Sequence, residues 1–461
     1  MCTKTRLFVI ATIFSMVLPF PRSLIYGQEP IASPTSAATA ATTDELKSDA
    51  EAAAAKPTTT PDANFWTQEE MTGDWGGIRS RWKEKGVELE FKLTQFFQGV
   101  ASGGIRQDSE YNGKFQTAFK FDLGKLAGWQ FWYVDFRTET RFGGPVLGGT
   151  GTISIVNTAA IIPGADGTVS SITALNFTKL FPIDLQNGDF FAVSAGRFNL
   201  VDLSDERFFG GGGIARFFNI AQIGPLTVLR QVPLITNVAS FAYIRGGEPF
   251  ITFAVMDPND HSTTPGISDL FADGVTFAPG INFSTTYFGK TAKHSIGGAI
   301  TTKKYTPFDA IRQVNSPGPP VNPIEPKGGS WSVNYIFRQY LVERAKKDGW
   351  GFFAQVAFAD NATSPITRFF NVGLGGNGLF ESRRRDEFGL AYAYTDFSSD
   401  LAHNVDQLRI GRLRPEHQVE MFYNVHITPW LRLTGDLQII CPTRRAADTA
   451  IIPGGRLQVI F

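Results

Sequence analysis

Apolar and polar residues alternate along much of this 461-residue chain. In one segment Val87, Leu89, Phe91 and Leu93 are separated by charged or polar residues, and the same period of two recurs in segments that begin near residues 115, 331, 388 and 419. Successive side chains of a β-strand point to opposite faces, so each segment predicts a strand with one apolar and one polar face. A membrane barrel, with lipid outside and water inside, shows this pattern, and so does a soluble β-sandwich.

The lengths of the connections favour the barrel. Counted back from Phe461, the pattern predicts sixteen strands, with short turns such as 428–429 alternating with long connections such as 258–280. Short turns on one rim and long loops on the other are typical of an outer-membrane barrel. Residues 143–189 are predicted as one long loop that could fold into the pore. The predicted strands are 87–99, 114–123, 129–142, 190–199, a weak one within 213–235, 238–245, 249–257, 281–288, 294–303, 331–342, 350–359, 370–380, 387–397, 417–427, 430–440 and 454–461.

The N-terminal region has the features of an exported protein. Lys4 and Arg6 precede an apolar run, 7–20, that is too short to span a bilayer and suits a signal peptide. A short amphipathic stretch around Trp82, ended by Gly86, predicts one helix before the first strand. The predicted organisation is a signal peptide at 1–27, an Ala/Thr/Pro-rich periplasmic linker at 28–63, an N-terminal helical segment at 64–86 and an outer-membrane β-barrel at 87–461.

The composition excludes several classes of protein. Basic and acidic residues both number 43, so the chain has no net basic field that would attract nucleic acid. Only Cys441 remains after the predicted signal peptide, which leaves no intramolecular disulfide. No later segment is apolar enough for a transmembrane helix. If the protein lies in a membrane, a closed all-β barrel is the remaining way to satisfy its backbone groups.

Charged residues in the segment 129–142 provide the main candidates for a pore lining. Charges that face lipid would cost about 2–4 kcal/mol for an arginine at mid-depth, so the charged side of this strand must face the lumen. Paired charges that only stiffen the wall are an equally good interpretation. A second candidate cluster follows the strand at 190–199. The candidates are Trp129, Phe131, Tyr133, Asp135, Arg137, Glu139, Arg141, Arg197, Asp202 and Arg207.

Three stretches of the sequence resemble the carbohydrate-selective porin family, the OprB type. The first and third are specific in combination, and the resemblance extends from about residue 66 to 461. The stretches are Thr72-Gly73-Asp74-Trp75-Gly76-Gly77-Ile78-Arg79, Gly378-Leu379-Phe380-Glu381-Ser382-Arg383 with 386–391, and Glu420-Met421-Phe422-Tyr423 with 428–433 and the terminal 455–461.

The resemblance implies a sixteen-stranded antiparallel barrel in the outer membrane of a Gram-negative bacterium. Such a barrel passes monosaccharides and similar small solutes without energy input. The implied partners are small carbohydrates, outer-membrane lipid and the barrel assembly machinery, which recognises a terminal aromatic such as Phe461. The linker at 28–63 and the length of 143–189 depart from the family pattern.

Three other functions remain open from the sequence. A non-selective diffusion pore, or a pore for another small solute, would have the same strand pattern. An outer-membrane enzyme such as a barrel lipase would need a Ser–His pair, but His417 and His426 lie on opposite faces of one predicted strand. A secreted lectin would show the alternation of a soluble sandwich. The histidines lack metal-ligand spacing and Gly210–Gly213 lacks the context of a nucleotide loop, so we predict no catalytic, cofactor-binding or metal-binding residues.

Overall fold

The structure is a computed structural model that describes residues 64–146, 148–164, 167–201, 208–310, 325–407 and 413–461. The predicted signal peptide and linker, 1–63, lie outside these ranges. Within them, no helix combines the length and the apolar character needed to cross a membrane.

The described residues form one closed antiparallel sheet. Each long strand pairs with its neighbours in sequence, and the first pairs with the last through partners such as Leu93 and Val459. Sixteen strands are long, and the three-residue β2 only extends the edge of β17. The strands are β1 (Val87–Gly99), β2 (Ser102–Gly104), β3 (Ser109–Asp122), β4 (Trp132–Gly143), β5 (Val169–Asp184), β6 (Asp189–Asn199), β7 (Ile235–Arg245), β8 (Glu248–Met256), β9 (Thr276–Tyr287), β10 (Lys290–Tyr305), β11 (Lys327–Ala345), β12 (Asp348–Ala359), β13 (Ile366–Asn377), β14 (Glu387–Phe397), β15 (Glu416–His426), β16 (Leu431–Cys441) and β17 (Asp448–Ile460).

Three α-helices are described, and all of them are short. They are α1 (Ile78–Glu84), α2 (Leu123–Ala127) and α3 (Ser399–Gln407). The helix predicted before the first strand is therefore present as α1. It ends before Gly86, whose φ of +92° suits glycine. A Cβ atom at Gly86 would lie 2.7 Å from the carbonyl oxygen of Asp122, so the close approach to β3 also requires glycine.

The alternation in the sequence corresponds to the two faces of the barrel. On β15, Glu420 is buried inside while its neighbour Met421 is exposed outside. On the last strand, Arg456 is buried inside and Leu457 is exposed outside, which is the orientation that the sequence predicts. An outer face of Leu, Phe, Tyr and Trp suits lipid, and the polar inner face suits water.

Two of the predicted elements are wrong, and their errors cancel in the strand count. Residues 169–184 form β5 rather than part of a long loop. Its outward residues are Ile172 and then Leu175, because the pairing of β4 with β5 shifts register between Arg137 and Thr138. This bulge interrupts the period of two on which the prediction depends.

The second error is the weak strand within 213–235. In the structure this part of the chain forms two 3-10 turns, Ile220–Gln222 and Leu226–Arg230, and lies almost entirely buried. Its apolar residues are buried against the inner wall of the barrel and not against lipid. Contact with lipid and burial inside the barrel both favour apolar residues. Composition alone therefore does not distinguish a lipid-facing strand from a segment that fills the lumen.

Two connections fold into the barrel. We call residues 152–163 the first inner segment and residues 208–234 the second inner segment. Lumen-facing Gln98 and Gln438 both donate to the carbonyl of Val156 in the first. The backbone N–H of Thr158 donates to Phe218 of the second at 2.9 Å. The lumen is therefore filled in part by two joined segments, and the first inner segment, which belongs to the predicted long loop 143–189, does fold inward.

Candidate constriction of the lumen

Five charged residues line the inner face of β1, β3 and β4 toward the rim of short turns. We call them the charged wall. The ammonium of Lys92 lies 2.9 Å from Glu90 on β1, and Asp135 of β4 is the direct partner of Lys120 on β3. Cross-strand neighbours on one face lie close enough to interact, so acids and bases alternate over a continuous surface. The charged wall consists of Glu90, Lys92, Lys120, Asp135 and Arg137.

A buried polar network lies next to this wall, toward the rim of long loops. Glu139 accepts hydrogen bonds from Lys114 at 3.1 Å and Gln116 at 2.8 Å. Asn199 reaches the same carboxylate at 3.5 Å. The turn Ala159–Ile161 of the first inner segment lies next to β3 and β4, which explains the burial of this network. We call this set the sealed cluster, because all of these side chains are removed from water.

The boundary between the two regions falls between Arg137 and Glu139. The side chain of Arg137 is 29% exposed, whereas that of Glu139, two residues along the same face, is 0% exposed. Nearer the long-loop rim, Arg141 is also buried and donates to the carbonyl oxygens of Gly143 and Gly167. Water therefore reaches the inner face of β4 only on the short-turn side of the first inner segment. The level of Arg137 is our candidate constriction.

The opposite wall holds the inner segments in place. Glu420 of β15 accepts hydrogen bonds from the backbone N–H groups of Phe218 at 2.5 Å and Asn219 at 3.1 Å. Four residues earlier on the same strand, Glu416 accepts hydrogen bonds from the backbone N–H groups of Ile153 at 3.0 Å and Ser154 at 3.2 Å. A carboxyl group has two oxygens that can accept hydrogen bonds, so one side chain can hold two backbone N–H groups. One strand thus anchors both inner segments by their backbones.

Arginines complete the attachment of the second inner segment. Arg456 of β17 donates to the carbonyl oxygens of Gly213, Ala215 and Arg216, at 2.7 to 2.9 Å. Arg216 itself forms an ion pair of 3.0 Å with Glu387 of β14. Because each guanidinium carries five donors in a fixed plane, it can hold several carbonyl oxygens of a turn at once.

Nine of the ten predicted pore-lining residues separate into three groups. Tyr133, Asp135, Arg137, Glu139 and Arg141 share the inner face of β4. Two residues precede that strand: Phe131 packs near Phe190 with 6.3 Å between ring centroids, and Trp129 is exposed in the short turn. Asp202 and Arg207 lie outside the described residues.

Arg197 has a different role from the one predicted. It lies on the face of β6 opposite Phe198, whose ring is part of a buried cluster with Val238. Its guanidinium donates to the backbone carbonyl oxygens of His261 and Thr264. Arg197 therefore fixes the loop 257–275 and does not belong to the proposed lining.

The sequence interpretation missed the partners of the β4 charges. These partners are Lys114, Gln116 and the charged residues of β1, all on strands next to β4. Their positions in the alternating pattern place them on the inner face, so the sequence could have identified them. Glu416 and Glu420 could also have been found, since both occupy lumen-facing positions of a clearly alternating strand. In the described residues, no cluster of His, Cys, Asp and Glu side chains is placed to hold a metal ion.

Two carboxylates outside the strands, Asp260 and Asp386, are also held by hydrogen bonds. Burial raises the pKa of Asp260, although this carboxylate accepts hydrogen bonds from the N–H groups of Ser262 at 2.7 Å and Leu234 at 3.1 Å. In the short turn before β14, Arg383 and Asp386 form a pair with 2.8 Å between nitrogen and oxygen. These pairs hold loops and turns and do not line the passage.

Comparisons with known proteins agree with the architecture. Residues 106–461 match the family described as "Carbohydrate-selective porin, OprB family". The chain is 22% identical over 428 residues to Porin B of Pseudomonas aeruginosa, which covers 85% of this chain and 91% of that protein. Its fold is similar to the high pH structure of Pseudomonas putida OprB, with a TM-score of 0.71, 20% identity, and coverage of 86% of this chain and 99% of that chain.

The low pH structure of the same Pseudomonas putida protein covers the same shares of both chains, with a TM-score of 0.50 and 16% identity. At these identities the structural comparisons show the fold alone, a closed antiparallel barrel. The assignment to a family rests on the match of residues 106–461 to the family model. The chain belongs to the carbohydrate-selective porin family, the OprB type, and is an outer-membrane porin.

Proposed function

We propose that this porin passes small monosaccharides by passive diffusion through a water-filled lumen that is narrowest between the charged wall and the second inner segment. The observation that supports the proposal is the fall in side-chain exposure from 29% at Arg137 to 0% at Glu139. It occurs next to the turn Ala159–Ile161 of the first inner segment, which is joined to the second inner segment by the hydrogen bond from Thr158 to Phe218.

The chemistry of the charged wall suits a sugar. Sugar hydroxyl groups both donate and accept hydrogen bonds. Arg137, Lys92 and Lys120 can donate to them, and Glu90 and Asp135 can accept. Each such bond replaces one to water, so its net contribution is only about 0.5–1.5 kcal/mol. A passage needs binding that is favourable enough to enter and weak enough to leave, and a few such bonds satisfy that condition.

Tyr133 adds an apolar contact at the same wall. It lies two residues from Asp135 on the inner face of β4 and is partly exposed. An aromatic ring can stack on the apolar face of a pyranose while the neighbouring charges bind its hydroxyl groups. Because two inner segments share the lumen, the remaining passage favours a single sugar ring over two linked rings.

Liposome swelling with a series of monosaccharides and disaccharides tests this function. We expect fast swelling with monosaccharides and a sharp fall with disaccharides. Single-channel conductance with and without added sugar should show a reversible, concentration-dependent block as sugar occupies the constriction. A conductance that no sugar changes, together with swelling that depends only on solute size, would instead favour the non-selective diffusion pore.

A further inference from the structure

The N-terminal residues 64–86, which we call the rim segment, are fixed to the outside of the short-turn rim. The backbone N–H of Met71 donates to Ile460 at 2.8 Å, and the indole of Trp430 donates to the carbonyl of Phe65 at 2.9 Å. Arg79 donates to the terminal residue, Phe461, at 2.5 Å. The rim segment therefore follows the ends of β16, β17 and β1, where the barrel closes.

The rim segment exposes large apolar side chains that the barrel does not cover. Ile78 and Trp82 lie one turn apart on the same side of α1 and are 37% and 42% exposed. Trp66 is 60% exposed. An exposed apolar surface of this kind needs a partner, because leaving it in water is unfavourable.

The position of Trp75 shows where the exposed apolar surface of the rim segment lies relative to the barrel. Its ring lies 6.3 Å from that of Phe91, and Phe91 stacks on Phe115 at 6.3 Å. Phe91 and Phe115 point outward on β1 and β3, the face that contacts lipid. Phe115 also lies 6.4 Å from the ring of Phe461. The apolar side of the rim segment is thus continuous with the lipid-facing surface of the barrel.

Basic residues accompany this apolar surface. Arg81, Lys83 and Lys85 are all exposed, and Glu84 is the one acidic residue of α1, while Glu69, Glu70 and Asp74 precede the helix. Lys83 lies 3.7 Å from Glu88 at the start of β1. Tryptophan at the interface and Lys or Arg beside it are the usual combination in segments that lie at the boundary between lipid headgroups and acyl chains. Long basic side chains can reach the phosphate groups while their stems remain in the apolar layer.

We propose that the rim segment is an interfacial anchor that binds the phospholipid headgroups of the periplasmic leaflet. Trp66, Ile78 and Trp82 enter the acyl boundary, and the three basic residues contact phosphate. The anchor holds the seam between β1 and β17 against the membrane surface. It is independent of the solute that the lumen passes, since none of its residues faces the constriction.

The test uses single cysteine labels on the full barrel. In a Cys441→Ser background, Trp82→Cys and Glu84→Cys are each labelled with an environment-sensitive fluorophore. Glu84 is the matched control, because it lies two residues along α1 and so roughly 200° away around the helix. The proteins are reconstituted into vesicles of phosphatidylethanolamine and phosphatidylglycerol, with and without brominated acyl chains. Both variants must show the heat-dependent gel shift of a folded barrel.

The anchor predicts opposite behaviour of the two labels. Brominated lipid should quench the label at 82 at least about twofold more than the label at 84, and aqueous iodide should quench the label at 84 more. Replacement of phosphatidylglycerol by phosphatidylcholine, or the change Lys83→Glu, should reduce the lipid quenching at 82. Equal iodide quenching of both labels would overturn the proposal. Protection at 82 that depends on protein concentration, and not on lipid, would indicate a second copy of the chain and would also overturn it.

Discussion

The sealed cluster and the charged wall occupy the same face of the same strands, yet only one of them meets water. In the sealed cluster Glu139 and Lys114 satisfy each other and lie beneath the first inner segment. In the charged wall, Arg137 and Glu90 have the same kinds of side chain and remain partly exposed. What separates them is the covering segment, which comes from a distant part of the sequence.

This difference suggests that the two ends of β4 have different roles, one in stability and one in solute binding. Charges that are paired and buried contribute to structure, because breaking a buried pair leaves an uncompensated charge. Charges that remain in water can exchange their partners for a passing solute. The two alternatives that the sequence left open, a stiffening wall and a constriction, are thus assigned to neighbouring halves of one strand in our proposal.

The largest effect should come from the sealed cluster. Glu139→Ala leaves the buried ammonium of Lys114 without its carboxylate, and we expect a loss of about 3–5 kcal/mol in the free energy of unfolding. Urea unfolding in detergent micelles, followed by the gel shift of the folded barrel, measures it. The double variant Lys114→Met with Glu139→Leu is the control and should recover most of the stability, because it removes both charges. A single variant as stable as the wild type would contradict the structural role.

A smaller effect on stability and a larger one on transport should follow from Glu420→Ala. The change removes the acceptor for the N–H groups of Phe218 and Asn219, at a cost of about 1–3 kcal/mol for the groups left unpaired. The second inner segment should loosen, which widens the passage. Single-channel conductance should rise, and disaccharides should begin to swell liposomes.

The control for that experiment removes another carboxylate of the barrel. Glu248 of β8 forms an ion pair of 2.7 Å with Lys293. Glu248→Ala should leave the conductance close to that of the wild type. If both variants raise the conductance equally, the result reflects a change of net charge and not a released segment.

The charged wall should give the reverse result, an effect on solute binding with little effect on stability. Arg137→Ala removes one donor, so the sugar concentration that gives half-maximal block should rise roughly three- to tenfold. Arg137 also lies 3.8 Å from the carboxylate of Glu139, so the free energy of unfolding should fall by up to about 1 kcal/mol, well below the loss in Glu139→Ala. Arg368→Ala is the matched control, since Arg368 is exposed and pairs with Asp396 on the outer face. Unchanged block in Arg137→Ala would remove this residue from the constriction.

The sequence predicts the faces of the strands well and the contents of the lumen poorly. The inward and outward positions of β4, β15 and β17 follow from the local alternation of polar and apolar residues. Each outward side chain meets lipid and each inward side chain meets a polar interior, so neighbouring residues alone indicate the face. The strand β5 was missed since a bulge at one position reverses the parity. The anchoring of Phe218 by Glu420 joins residues far apart in the chain, and no local pattern records such a pair.

The same limit applies to individual site residues. Asp135 and Arg137 could be placed on the inner face from their neighbours alone. That Glu139 is sealed while Arg137 is exposed depends on the turn Ala159–Ile161, which has no periodic signal. Likewise, Arg197 was grouped with nearby charges in sequence, whereas its partners are carbonyl oxygens of a loop more than sixty residues later. The sequence shows directly which residues are charged. Whether a charged side chain is exposed depends on segments that lie far away in the chain.

A smaller loss of stability than in the sealed cluster should come from an ion pair at the short-turn rim, which serves as a reference for the pair of Lys114 and Glu139. Asp386 accepts hydrogen bonds from Arg383 at 2.8 Å, from the N–H of His426 at 3.0 Å and from the hydroxyl of Tyr423 at 3.0 Å. Its burial acts to raise the pKa, but these hydrogen bonds together hold the pKa of Asp386 below its usual range.

The sign of the pH dependence follows from this lowered pKa. An aspartate in an unfolded chain has a pKa of about 3.9, so its carboxylate is charged in both states at neutral pH and the native hydrogen bonds stabilise the fold there. As the pH falls through the lower, folded pKa, that stabilisation disappears. Asp386→Asn should therefore be less stable than the wild type at pH 7, and the difference should shrink as the pH drops below about 4. Because Arg383 is partly exposed to water, the loss at pH 7 should be smaller than that of Glu139→Ala, and unfolding midpoints of both variants across this pH range measure it. A rim variant that loses as much stability as the sealed variant would show that burial does not distinguish the two pairs.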